Sequence, residues 1–159
     1  MEIDEFAQGI ANEINASYCR VPMYCFHGDP KHDKIEVVDA IAGKLETSWE
    51  LIKINEKGEF GRLMQLLRGS HEEYGRKIFI LEWKYEKDPY WLKIKYQTLW
   101  NALWELHESQ VLAVFLTFNY SPQSTFKFIT GSEDEKAFVG QFKIHDVTKE
   151  ILFPEPIEQ

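Results

Sequence analysis

Cysteine is scarce in this chain. Cys19 and Cys25 are the only two among 159 residues. A pair cannot make a disulfide framework at this length, so both are expected as reduced thiols in a cytoplasmic protein, with Cys25 in the core. Long apolar runs are missing too. No stretch approaches the roughly 20 residues of a membrane helix, and the acidic opening MEIDEF has no apolar signal core, so no membrane partner is expected. Positive charge is in deficit: 18 Lys and Arg face 26 Asp and Glu, a net charge of −8. Phosphate backbones need a positive face, so this balance disfavours nucleic acid as a partner. Repeats and low-complexity segments are absent as well.

What is present suits one globular domain, residues 1–152, followed by a tail, 153–159, that holds Pro154 and Pro156. The apolar share of 44% is ordinary. The aromatic share of 14% is high, and four of the five Trp fall between Trp83 and Trp104.

The hydrophobic pattern alternates between helix and strand periods. Phe6, Ile10 and Ile14 mark a helix from Ile3 to Tyr18, its opening acids Glu2, Asp4 and Glu5 suiting the helix dipole. Val21 to His27 is a buried strand. Asp33 to Glu46 is a helix with Ile35, Val38, Ile41, Ala42 and Leu45 on one face. Trp49 to Ile54 is a second strand. Glu59 to Arg68 is a short helix, with Gly69 as its terminator and a polar connector, Ser70 to Arg76, after it. Lys77 to Trp83 is a third strand. Pro89 to Glu108 is the longest helix, and Val111 to Phe118 is a fourth, very apolar strand. Thr125 to Thr130 reads as strand or loop, Glu133 to Phe138 as a short helix, and Phe142 to Val147 as a fifth strand. Strands alternating with helices, and apolar on both faces, imply a doubly wound three-layer α/β domain with a parallel sheet.

The organising stretch is Val21 to Leu45. A strand ends at Gly28, a polar loop follows, and a helix opens at Asp33-Lys34. Gly28, four residues, then Asp33-Lys34-Ile35 has the spacing of G-x-x-x-x-G-K-[ST], in which backbone N–H groups and a lysine hold phosphates. With this loop, Ile78 to Trp83 on the third strand, Leu116-Thr117-Phe118-Asn119 ending the fourth, and Ala137 to Ile144 near the end, the chain resembles the core of AAA-type P-loop ATPases. That resemblance implies a P-loop NTPase-like fold with sheet order 5-1-4-3-2. Tyr24, Phe79 and Val114 would be central. It also implies a degenerate nucleotide loop of Gly28, Asp33, Lys34 and Asn119, with Glu82 as the remaining acid of the magnesium site.

The departures from that family point one way. Asp33 replaces the last glycine and Ile35 the magnesium-binding hydroxyl. Asp29 adds a carboxylate and Pro30 removes an N–H. Trp83 takes the second acidic position, Gln141 stands where an arginine finger belongs, and nothing after Leu152 is long enough for a helical lid. Asp33 with Glu36 three residues on is also a capping pattern, which would cap the helix with its own anion. Lys34, in the first turn, sits against the dipole and is expected to be dispensable for stability. No cofactor is expected.

Three functions follow as expectations. The first is a catalytically inactive AAA-like domain, a pseudo-ATPase that binds a protein partner or self-associates. Its interaction residues would be Trp83, Trp91, Trp100 and Trp104. The second is a divergent ATPase using Lys34 and Glu82. The third is a metal-dependent nuclease of the PD-(D/E)xK kind, in which Glu82 holds the metal and Lys84 steadies the attacking water. That reading also needs an acid on a preceding strand, and no Asp lies between Asp39 and Glu82. His27, Asp29, His32 and Asp33 are crowded but lack a zinc spacing, so they are expected as solvated side chains. His107 and His145 have no partner that sequence reveals.

Overall fold

A computed structural model of the chain describes residues 1–17, 21–53, 61, 65, 77–83, 111–119 and 142–154. Its elements are α1 (Ile3–Asn15), β1 (Met23–His27), α2 (Lys34–Lys44), β2 (Trp49–Lys53), β3 (Lys77–Trp83), β4 (Val111–Phe118), β5 (Lys143–Asp146) and α3 (Val147–Glu150). The five strands form one sheet in the order β2-β3-β4-β1-β5, which is the expected 5-1-4-3-2 read from the other edge. Every pairing is parallel. Gly61 and Gln65 are helical, within the helix expected from Glu59. Cys19, Lys84, Trp91, Trp100, Trp104, His107 and Gln141 lie outside the described residues. So do the helix expected from Pro89 to Glu108 and the segments 125–130 and 133–138.

Period-2 side-chain alternation divides the sheet into two faces. Tyr24 and Phe26 on β1, Ile78 and Ile80 on β3, and Ala113 and Phe115 on β4 meet Phe6, Ile10 and Ile14 of α1 and Val37, Val38 and Ile41 of α2 in one core. Tyr24 stacks on Phe115 with ring centroids 5.2 Å apart. Cys25, Phe79, Leu81, Val114 and Leu116 of the other face are also buried, so the sheet is covered on both sides. Burial pushes the Cys25 thiol well above its ordinary pKa, which makes it an inert core residue.

Two helix ends differ from the sequence expectation. α1 stops at Asn15, three residues before Tyr18, with Ala16 as its cap. α2 stops at Lys44, two residues before Glu46. There the Thr47 N–H donates to Ala42 O at 3.0 Å and the Glu46 N–H to Gly43 O at 3.3 Å. This is a Schellman ending in which Glu46, at φ 54°, takes the left-handed place usually filled by glycine. β5 is shorter than expected because Asp146 caps a further helical turn, accepting the Lys149 N–H at 3.3 Å.

Candidate functional site

The site lies where β1, β3 and β4 end. In parallel sheets, ligands collect outside the carboxyl ends of the strands. Gly28 leaves β1 with φ 149°, a conformation that side chains rarely adopt, and a Cβ there would come within 2.5 Å of Thr148 Oγ1. That Thr148 hydroxyl accepts the Asp29 N–H at 2.7 Å and lies 3.0 Å from His32 Nδ1. Pro30 and Lys31 form the middle of a turn closed by the His32 N–H donating to Asp29 O at 3.0 Å. The Lys31 N–H donates to Asp29 Oδ1 at 3.0 Å, and this backbone bond holds the Asp29 carboxyl below its usual range. The His32 ring stacks on Phe153 with centroids 4.2 Å apart.

Asp33 is the N-cap of α2. Its Oδ1 accepts the Ile35 N–H at 2.9 Å and the Glu36 N–H at 3.3 Å. The N–H groups of residues 29, 31, 32, 35 and 36 are thus all answered from within the chain. Amides of this kind are what a phosphate-binding loop leaves open for its ligand.

Lys34 differs from the expectation. It is 5% exposed, not a surface residue of the first turn. Its Nζ donates to Asp29 O at 2.9 Å, Asn119 Oδ1 at 3.1 Å and His32 O at 3.2 Å. An ammonium has three N–H groups, so all are committed to the protein. Burial lowers the Lys34 pKa, while the carboxylates of Asp29, Asp33 and Asp146 oppose that shift.

Pro30, Lys31, Asp33, Lys34, Glu82, Thr117 and Asn119 all face one cavity of about 210 Å³. Of the residues singled out in the sequence, the fold therefore brings Asp33, Lys34, Glu82 and Asn119 together, with Gly28 at the start of the same loop. Trp83 ends β3 opposite Phe118 of β4; its side chain is outside the described residues. Glu82 pairs with Thr117 in the β3–β4 register. Thr117 Oγ1 is buried with no hydrogen-bond partner among the described residues.

His27 closes β1, and burial lowers its pKa against the opposing pull of Asp146. His32 is occupied by Thr148 and Phe153. Among the described residues no group of three His, Cys, Asp or Glu is placed to hold a metal. His145 has a partner that sequence did not disclose: its Nδ1 lies 3.0 Å from the Glu150 carboxylate, and its ring packs edge-on against Phe6 at 5.4 Å.

Thr148 and Phe153 were not singled out in the sequence, although both touch the loop. The available signal was Asp146 itself, an N-cap residue type that opens a helical turn holding residue 148. No helix of the described residues is long and apolar enough to cross a membrane. Neither protein-family models nor curated proteins gave a match to this chain.

Proposed function

We propose that this chain is a catalytically inactive P-loop domain of AAA type, a cytoplasmic pseudo-ATPase that acts as a protein-interaction or assembly module. The observation that carries this reading is the state of Lys34. The residue at the phosphate-binding position donates all three of its N–H groups to Asp29, His32 and Asn119. Asp33 adds to the case, since its carboxylate caps the helix N-terminus that a phosphate would otherwise use. A triphosphate would have to displace both devices and then sit beside the Asp33 and Glu82 carboxylates.

The test combines magnesium-ATP hydrolysis, thermal unfolding with and without millimolar ATP, and sedimentation over a range of protein concentrations. The expected result is no turnover, no stabilisation by ATP, and association of the chain with itself or with a protein partner. A bound ligand at about a hundred times its dissociation constant would add roughly 2.7 kcal/mol of stability. Such a gain, abolished by Lys34→Ala, would overturn the proposal in favour of the divergent ATPase.

That second reading has its own support: Lys34, Glu82 and Asn119 do face one cavity. The nuclease reading is weaker. A mixed sheet with an antiparallel hairpin ahead of Glu82 would favour it, whereas β2 and β3 are parallel.

A further inference from the structure

The cavity at the strand ends has acceptors without partners, and its buried cation, Lys34, is fully committed; Lys31, which also lines it, is an exposed residue. Thr117 lines it, is 4% exposed, and keeps a buried hydroxyl with no hydrogen-bond partner among the described residues. Buried polar groups are nearly always paired, so such a group asks for a partner from outside. Glu82 stands beside it across the β3–β4 register, lines the same cavity, and has no hydrogen-bond or ion-pair partner among the described residues. The Lys34 ammonium, which lines the same cavity, is fully committed. An anion entering here would meet the Glu82 and Asp33 carboxylates and no free N–H on Lys34, which leaves it only the exposed Lys31 as a cationic partner. A cation would meet acceptors. The loop already shows this chemistry once, because two carbonyls and Asn119 Oδ1 cage the Lys34 ammonium.

We infer that the cavity takes the positively charged, hydrogen-bond-donating head of a basic ligand, a guanidinium or primary ammonium, with its N–H groups on the Glu82 carboxylate and the Thr117 hydroxyl. A cavity of about 210 Å³ has room for such a head and part of its alkyl stem, and a net charge of −8 draws cations toward the protein. The head belongs either to a small free amine or to an arginine or lysine of a partner protein. The inference rests on the proposed function in one respect, that the loop is not a phosphate site.

The test is a nitrogen-15 NMR titration of the full chain with five probes at constant ionic strength. These are agmatine, a blocked Gly-Arg-Gly peptide, tetramethylammonium, magnesium chloride and magnesium-ATP. Agmatine is expected to shift the amides of Glu82, Thr117 and Asn119 saturably. Tetramethylammonium, which has charge but no N–H, should bind at least about tenfold more weakly, as charge-assisted hydrogen bonds require. Glu82→Gln should also weaken agmatine by about tenfold or more, a difference of about 1.4 kcal/mol. Tighter binding of the peptide assigns a partner side chain, and tighter binding of agmatine assigns a free amine. Silence from agmatine and the peptide would overturn the inference and leave the proposed function standing, as would equal binding of tetramethylammonium or a response to magnesium alone. Saturable shifts from magnesium-ATP, erased by Lys34→Ala, would overturn both. The tetramethylammonium comparison uses the parent chain, so it decides even if Glu82→Gln does not fold.

Discussion

The Lys34 ammonium donates to Asn119 Oδ1 at 3.1 Å across 85 positions of sequence. This bond joins the first turn of α2 to the residue that follows β4, a polar tie added to the apolar core the two elements already share. Two backbone carbonyls of the loop accept from the same ammonium, Asp29 O sharing it with the His32 N–H. Lys34 is therefore a structural tie. The sequence expectation that it is dispensable is revised, because it placed the side chain in solvent against the helix dipole and not in a cage of acceptors.

Lys34→Met keeps the alkyl stem and removes the donors. Partly buried acceptors left unpaired cost roughly 1–3 kcal/mol. For a chain of this size that is a fall in melting temperature of about 2–12 °C. Calorimetry checks it, and an unchanged melting temperature would return Lys34 to the surface role.

Asp33→Ala removes the acceptor of two N–H groups at the start of α2. The expected loss is about 1 kcal/mol. Asp33→Asn, which retains a capping oxygen, should lose less. Equal losses from both variants in urea unfolding would point to the charge and away from the cap.

Glu46 offers a gain. It holds φ 54° at the end of α2, where a side chain crowds the backbone and glycine does not. Glu46→Gly should stabilise the domain by roughly 0.5–1 kcal/mol, the left-handed strain removed being partly offset by a more flexible unfolded chain. A lower urea midpoint for the variant would contradict the assigned helix ending.

Gly28 and Thr148 should behave as a coupled pair. Gly28→Ala places a Cβ 2.5 Å from Thr148 Oγ1 at a φ of 149°, so a loss of roughly 1–3 kcal/mol is expected from strain and clash. Thr148→Ala alone loses the bond to the Asp29 N–H. In the double variant the closest atom is already gone, so the combined loss should be smaller than the sum. Strict additivity in the double-mutant cycle would show that the two residues do not meet.

The fold was largely legible because its signals are local and redundant. Lys77–Trp83 and Val111–Phe118 occupy the predicted residues, since runs such as FIL and VFLTF are apolar on both faces and suit only a sheet covered on both sides. Asp33 was legible as a cap for the same reason, its partners lying two and three residues away. The site was less legible because its contacts are long-range. Thr148 reaches Asp29 across 119 positions and His32 across 116. The Thr117 hydroxyl becomes notable only when the register sets it beside Glu82. Nothing in the local pattern around Lys34 distinguishes a lysine facing solvent from one turned back onto its own loop.

The last prediction concerns acid. Burial lowers the His27 pKa below its ordinary 6.5, with Lys34 and Lys149 acting in the same direction and Asp146 and Glu150 against it. The unfolded chain then binds the His27 proton more readily than the folded one between the folded pKa and about 6.5. Stability therefore rises with pH through that window and is level above it, and the full penalty is present below the folded pKa. Asp29 follows the carboxylate rule: its lowered pKa gives stability that is present above the ordinary carboxylate range and lost as pH falls through its folded value. The two contributions occupy separate windows, one near and below 6.5 and one below about 4. His27→Gln should therefore flatten the melting temperature in the window just below about pH 6.5 and leave the loss in the carboxylate range in place. Asp29→Asn should do the reverse. His32 and His145 remain in both variants, so the difference from the parent isolates the altered residue. A His27→Gln profile that runs parallel to the parent over the whole range would show that His27 protonates equally in both states, and that burial at the end of β1 does not reach its ring.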